Sequence, residues 1–391
     1  MLLNNYARVD LSFVKGKGAT LKDKNGEKFI DFTSGIGVCS LGHAHKGLAK
    51  VISKQSKSIL HSSNIFRIEP QERLAERISA LLGGGYRLFF ANSGAEANEC
   101  AIKLARKWGA KHGKNEIISL ENSFHGRTIA TLKMTGQDKF HPEHFAPYPD
   151  GFKFYASIDE IIAKASDKSA AVIIELVQGE GGIKPLDSDA VTKLAKFCKD
   201  KNILLITDEV QCGCYRTGEF VTSKIYGISP DIITFAKGLA GGVPIGACAS
   251  KHDIFEPGDH GSTFGGNFLS TTAALYVLEE LEKLKLSGEL DVTIQAFSVA
   301  LDTIAKKYPK IIKKRIGLGL MQGLELKDER MLKVLFEEAL SQKLLILKSG
   351  KATLRFLPAL NISAKEIIRG FERLDLAFAN AKEPKTPIIR N

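Results

Sequence analysis

A chain of 391 residues, 44% hydrophobic and 25% charged, has a globular composition and is long enough for two domains. That composition excludes a collagen-like or wholly disordered chain. No apolar run reaches the roughly 20 residues a membrane helix needs, and the six cysteines lack the density of a secreted disulfide scaffold, so free thiols are expected. In chain order, FVKGKGATLKDKNGEKFIDF is broken by Lys-Gly and Asn-Gly and predicts a small hairpin or meander. From about residue 70 helix and strand alternate: an amphipathic QERLAERISALL, a strand YRLFFAN, a helix through ANECAIKLARKW and a strand EIISL. Alternation of this kind implies a parallel sheet. Continuous apolar runs at 170–176, 203–209, 231–236 and 245–250 read as central strands covered on both faces. After residue 270 helical periodicity dominates, then LILKSGKATLRFLP has strand character and SAKEIIRGFERLDLAFANA ends the ordered pattern as a helix. The tail KEPKTPIIRN reads as a surface segment.

The formal charge of +11 is spread along the chain, and its densest run, KKYPKIIKKR at 306–315, reads as the solvated face of a helix. No nucleic-acid or membrane partner is expected, and excess positive charge suits the steering of small anions. The N-terminus lacks the apolar core of a signal peptide, and a cytoplasmic protein is expected. Cys212 and Cys214, in QCGCYRTG, have no second cysteine or histidine pair nearby, so no metal is expected.

Three strand ends carry polar residues suited to chemistry. In FANSGAEAN a strand runs into a small-residue turn and a helix capped by Ser93, with Gly94 and Ala95 too small to block its unpaired N–H groups. An anion site is one reading; an ordinary Ser93–Glu96 capping box is the other. In ILLITDEVQ an apolar strand delivers Asp208 to its C-terminal end, where open α/β sheets bind ligands, although a strand-end aspartate also serves as a loop bracket. In DIITFAKGLAGGVPIG a buried strand ends in Lys237 followed by glycines. A desolvated lysine loses its proton more easily and can attack a carbonyl, while a lysine snorkelling from the sheet is the plain alternative. Neither G-x-G-x-x-G nor a P-loop is present. Taken jointly, an amine for an aldehyde, a carboxylate for a pyridinium nitrogen and a helix start for a phosphate answer the demands of pyridoxal 5'-phosphate, with Phe124 in SFHGR as a ring-stacking partner.

These motifs, with HSSNIF, QGEGG, GSTFGGN and LRFLPAL in order along nearly the whole chain, resemble the class III pyridoxal-phosphate aminotransferases, most nearly the branch that acts on acetylornithine in arginine biosynthesis. The resemblance implies a type I α/β fold. A large cofactor-binding domain with a mostly parallel seven-stranded sheet would span 51–285, and a smaller α+β domain would be built from 1–50 and 286–391. It implies that Gly94 and Ala95 bind the phosphate, Phe124 stacks on the ring, Asp208 holds the ring nitrogen, Gln211 lies near the ring hydroxyl and Lys237 forms the internal Schiff base and moves the proton. It implies further that Thr263 reaches the phosphate of the neighbouring subunit in a homodimer, and that Arg127 and Ser262 meet the amino donor. Arg355 and Glu180 resemble a switch pair that admits glutamate or 2-oxoglutarate by turns. The implied reaction is ping-pong transamination of N2-acetylornithine with 2-oxoglutarate, with N-succinyl-diaminopimelate as a further donor. Ornithine, succinylornithine or GABA as donor, or an aminomutase, are the alternatives. Cys39 and the SNIFR segment are expected to line the donor pocket.

Overall fold

The computed structural model describes residues 1–382, so the tail beyond Lys382 lies outside the described residues. Seven strands form the central sheet in the order Arg87–Ala91, Gly246–Ser250, Ile232–Phe235, Leu204–Asp208, Ser169–Ile174, Glu116–Leu120 and Phe152–Tyr155. All neighbours pair in parallel except Gly246–Ser250, which is antiparallel to both strands beside it. The continuous apolar runs explain the arrangement: every residue of Ser169–Ile174 and of Ile232–Phe235 is buried, as expected for strands roofed by helices on both faces. The helix Gly94–Ala110 packs Ala97, Ala101, Leu104, Ala105 and Trp108 into the core, the stripe that a 3.6-residue period requires.

The N-terminal meander Phe13–Lys17, Thr20–Asp23 and Lys28–Asp31 forms as its turn residues predict, but it is completed by a strand more than 300 residues away: Leu344–Leu345 pairs in parallel with Lys28–Asp31. A second antiparallel sheet of Ile312–Leu318, Met321–Leu326, Thr353–Phe356 and Leu347–Ser349 lies in the C-terminal part. Here the structure corrects one expectation. The run 306–315 is not a helix face: the helix Glu289–Lys307 stops before Pro309, and the remainder enters the strand Ile312–Leu318. Proline disfavours a helical residue before it, and Tyr308 is non-helical (φ −119°, ψ 56°). Three basic residues of this run pair closely with acids, Lys307 with Asp375, Lys313 with Glu325 and Arg315 with Asp302, each at 2.7 Å. Among the described residues no helix is long and apolar enough to cross a membrane.

At the end of the meander Asp31 is nearly fully buried and organises the next turn. Its Oδ1 accepts from Thr33 N–H (2.7 Å) and Ser34 N–H (3.1 Å), and its Oδ2 lies 2.7 Å from His43 Nε2. That hydrogen bond, aided by the nearby Cys39 thiol and opposed by partial burial, raises the His43 pKa from 6.5 to about 9. A raised folded-state pKa contributes stability that is full below about 6.5 and is lost as pH rises through about 9. Denaturant unfolding across this window is expected to show a loss of about 2 kcal/mol in the unaltered protein, the full shift discounted for the partial solvent exposure of His43, and a much flatter profile in His43→Gln.

Candidate active site

A cavity of about 400 Å³ opens at the C-terminal ends of the central strands. Its first wall is the start of the helix Gly94–Ala110. Ser93 caps that helix in extended geometry, and its Oγ accepts from Glu96 N–H at 3.2 Å. The Glu96 carboxylate turns back to the Asn92 N–H (2.8 Å) and the Ser93 hydroxyl (3.1 Å). The capping box therefore does not exclude the anion reading. The cap uses the Glu96 N–H and the Ser93 carbonyl takes that of Ala97 (3.1 Å), which leaves the Gly94 and Ala95 N–H groups at the cavity wall without an intrahelical acceptor. Glycine is required at 94 because a Cβ there would come within 2.7 Å of Val210 Cγ1.

Asp208 ends Leu204–Asp208 and is 3% exposed. Its Oδ2 accepts from Asn98 Nδ2 and meets His125 Nδ1, both at 2.8 Å, and its Oδ1 accepts from Val210 N–H at 3.0 Å. These contacts hold the carboxylate in one orientation at the cavity, which Asn98, His125 and Val210 also line. Lys237 lies two residues beyond Ile232–Phe235, at the head of a 3₁₀ turn, in the left-handed region (φ 42°). A lysine in that region is uncommon and marks a conformation imposed by its surroundings. Gly241 and Gly242 follow, and Gly242 forms part of the cavity wall. Enclosure pushes the Lys237 pKa below its usual 10.5; Asp208 opposes this and Arg355 adds to it. Its amine makes no ion pair among the described residues. An unpaired amine that faces a cavity, its ammonium form disfavoured by burial, has the makings of a nucleophile.

Phe124 lines the same cavity, and its ring meets Phe140 edge-on at 5.6 Å. Arg127 is exposed at the rim, its guanidinium 4.3 Å from the Phe140 ring centroid. Gln211 is part of the lining, and behind it Arg355 rises from the strand Thr353–Phe356. The Arg355 Nη1 donates to Glu180 Oε1 (2.5 Å), Gly179 O (3.1 Å) and Gln211 Oε1 (3.2 Å). Arg355 is buried while Glu180 is 32% exposed, so the acid is the partner free to swing away. Ser262 and Thr263 do not line the cavity. The Ser262 Oγ accepts from Asn92 Nδ2 (3.2 Å) and Gly265 N–H (2.9 Å), and Thr263 is exposed on the same loop.

The lining also holds Asn98, His125 and Glu175, to which the sequence assigns no role. His125 adjoins Phe124 in the SFHGR motif, and Asn98 lies one helical turn beyond Gly94, so position could have signalled both. Glu175 follows an apolar strand as Asp208 does. Burial raises its pKa to about 7, with Asp208 adding to the rise and His125 opposing it. Its Oε2 accepts from Phe124 N–H (2.8 Å) and its Oε1 from Gly179 N–H (3.2 Å).

The chain belongs to the class-III aminotransferases: the family model Aminotransferase class-III matches residues 3–378. An acetylornithine aminotransferase of Wolinella succinogenes is 51% identical over 378 residues, 95% of this chain and 96% of that relative. Among solved structures, the ornithine aminotransferase of Toxoplasma gondii ME49 superposes with a TM-score of 0.90 at 29% identity, covering 97% of this chain and 92% of that one. The N-acetylornithine aminotransferase of Stenotrophomonas maltophilia K279a superposes at 0.83 with 32% identity, covering 96% and 97%. The α/β architecture, with its seven-stranded, mostly parallel sheet, is the fold these aminotransferases share.

Proposed function

We propose that this chain is a pyridoxal 5'-phosphate-dependent aminotransferase that transfers the side-chain amine of N2-acetylornithine to 2-oxoglutarate, a step of arginine biosynthesis. The observation that carries the reading is the meeting of the unpaired Lys237 amine, the fixed Asp208 carboxylate and the free N–H groups of Gly94 and Ala95 around one cavity. The residues fit the cofactor: the N–H pair would hold its phosphate, Phe124 would face its ring, Gln211 would lie by the ring hydroxyl, and Asp208 would keep a proton on the ring nitrogen. When bound, the cofactor supplies a carbonyl carbon that accepts the amino group and a ring that takes up electrons on proton removal.

Lys237 would hold the cofactor through its amine and, with that amine free, would move the substrate proton. Arg127, exposed at the rim, would offer its guanidinium to the donor's α-carboxylate, with Ser262 near the same donor. Arg355 binds the second carboxylate of glutamate or 2-oxoglutarate after Glu180 releases it; with the acylated donor, the Glu180–Arg355 pair stays closed. One pocket thus serves two differently charged substrates, which argues against an aminomutase, for which such a switch has no use.

A homodimer completes the site in this reading. Ile65 (86% exposed), Phe66 (67%) and Phe264 (62%) are large apolar side chains on two adjoining loops, joined by a hydrogen bond from Asn64 Nδ2 to Ser262 O (3.0 Å). Burial against a second copy would carry Thr263 toward the partner's phosphate site. The division into 1–50 and 286–391 against 51–285 is proposed on the same basis, and the six free cysteines support a reducing, cytoplasmic setting. Initial rates with 2-oxoglutarate and each candidate donor test the reading. Parallel lines on varying both substrates, and kcat/KM at least about tenfold higher for N2-acetylornithine than for ornithine or GABA, are expected, with N-succinyl-diaminopimelate as a second good donor. A preference for free ornithine or GABA would transfer the assignment to an ω-aminotransferase of the same family.

A further inference from the structure

Glu175 is 5% exposed and ends its strand against the cavity with both carboxylate oxygens in use. The two N–H groups it receives belong to different loops. One is that of Phe124, which carries the ring platform, and the other is that of Gly179, next to Glu180. The Gly179 peptide is also held from the far side, its carbonyl accepting from Arg355 Nη1 (3.1 Å) and from Ser349 Oγ (2.7 Å). The Gln211 side chain lies close on another side: a Cβ at 179 would fall 2.4 Å from its Oε1. Any rearrangement of Arg355 that frees it for a substrate carboxylate therefore acts on the Gly179 peptide, and through Glu175 on the backbone of Phe124.

An uncharged residue could fill the same volume. Only a carboxylate accepts strongly at both oxygens, as joining two loop N–H groups from opposite sides requires. We propose that Glu175 is a positioning residue that couples the Glu180–Arg355 pair to the Phe124 platform, so that the substrate in the pocket sets how the platform is held. The proposal rests on the two-substrate reading of Glu180 and Arg355 above.

A double-mutant cycle on the holoenzyme tests it. The readout is selectivity, the ratio of kcat/KM for glutamate to that for N2-acetylornithine, because kcat/KM in a ping-pong scheme reports each half-reaction separately. Glu180→Ala changes this ratio in the otherwise unaltered enzyme; in the Glu175→Gln background the same change is expected to shrink by about fivefold or more. Cofactor absorbance and cooperative melting of E175Q check that the site is still assembled. If E175Q does not fold, Glu175→Asp, which keeps both oxygens but shortens their reach, goes through the same cycle with the same expectation. An E180A effect of equal size in both backgrounds, or a Glu175 variant that slows both half-reactions by one common factor, would overturn the coupling and leave Glu175 a purely structural group. An unaltered enzyme that transaminates neither substrate would instead remove the reading beneath the proposal, and the proposal with it.

Discussion

Lys237→Ala is expected to lower kcat by at least about 10⁵-fold while the protein folds normally. The large effect follows from the two roles proposed for Lys237, holding the cofactor and carrying the proton. The tolerance of the fold follows from what the side chain does not do: its amine forms no ion pair among the described residues, so its removal orphans no charge. Alanine meets the same left-handed backbone (φ 42°) as lysine, so strain at this position is not expected to grow. Steady-state rates together with a thermal melt separate the two effects. A melting temperature that fell as far as the activity would mean that Lys237 is structural.

Asp208→Asn is the second large effect, an expected loss of about 10³- to 10⁴-fold in the rate of proton removal measured in a single turnover. The carboxylate faces three donors, from Asn98, His125 and Val210. An asparagine has one acceptor oxygen for them, and its amide protons must point at another donor. The substitution thus removes the charge proposed to hold the ring nitrogen's proton and loosens the group that carried it. Loss of nucleophilic amine cannot account for the deficit: Asp208 is the foremost charge holding the Lys237 pKa up, so its neutralisation leaves the lysine more readily deprotonated. The deficit should therefore persist as pH is raised.

Much of this fold is legible in the sequence because buried parallel strands are written as unbroken apolar runs, and all four runs between 170 and 250 became central strands. Their direction is not legible. Gly246–Ser250 runs against both its neighbours, and a strand buried on both faces reads alike either way. The pairing of Leu344–Leu345 with Lys28–Asp31 is likewise invisible, since two apolar residues carry no register signal across such a separation. The run 306–315 alternates basic and apolar residues as a helix face does, but the backbone constraint of Pro309 ends the helix at Lys307 and a strand begins at Ile312.

Within the site, Asp208 and Lys237 stand out because each is a charged residue at the end of an apolar strand. Glu175 satisfies the same rule but is followed at once by Leu176 and Val177, so the apolar pattern closes over it. His125 and Asn98 are concealed differently: their part is to hold Asp208, and the fold, not the local sequence, brings them to it. Ser262 and Thr263 lie on a loop beyond the cavity; Ser262 touches the lining through Asn92, and Thr263 is exposed.

The central claim is that Lys237 is the covalent anchor of a carbonyl cofactor, and one measurement addresses it directly. Purified enzyme is treated with borohydride, digested and mapped by mass spectrometry. The account predicts that a yellow protein loses its visible absorbance on reduction, and that the added mass of the reduced cofactor is found on the peptide containing Lys237 and on no other. A purified protein that binds no pyridoxal phosphate when supplied with it, or a reduced cofactor fixed on a different lysine, would contradict it.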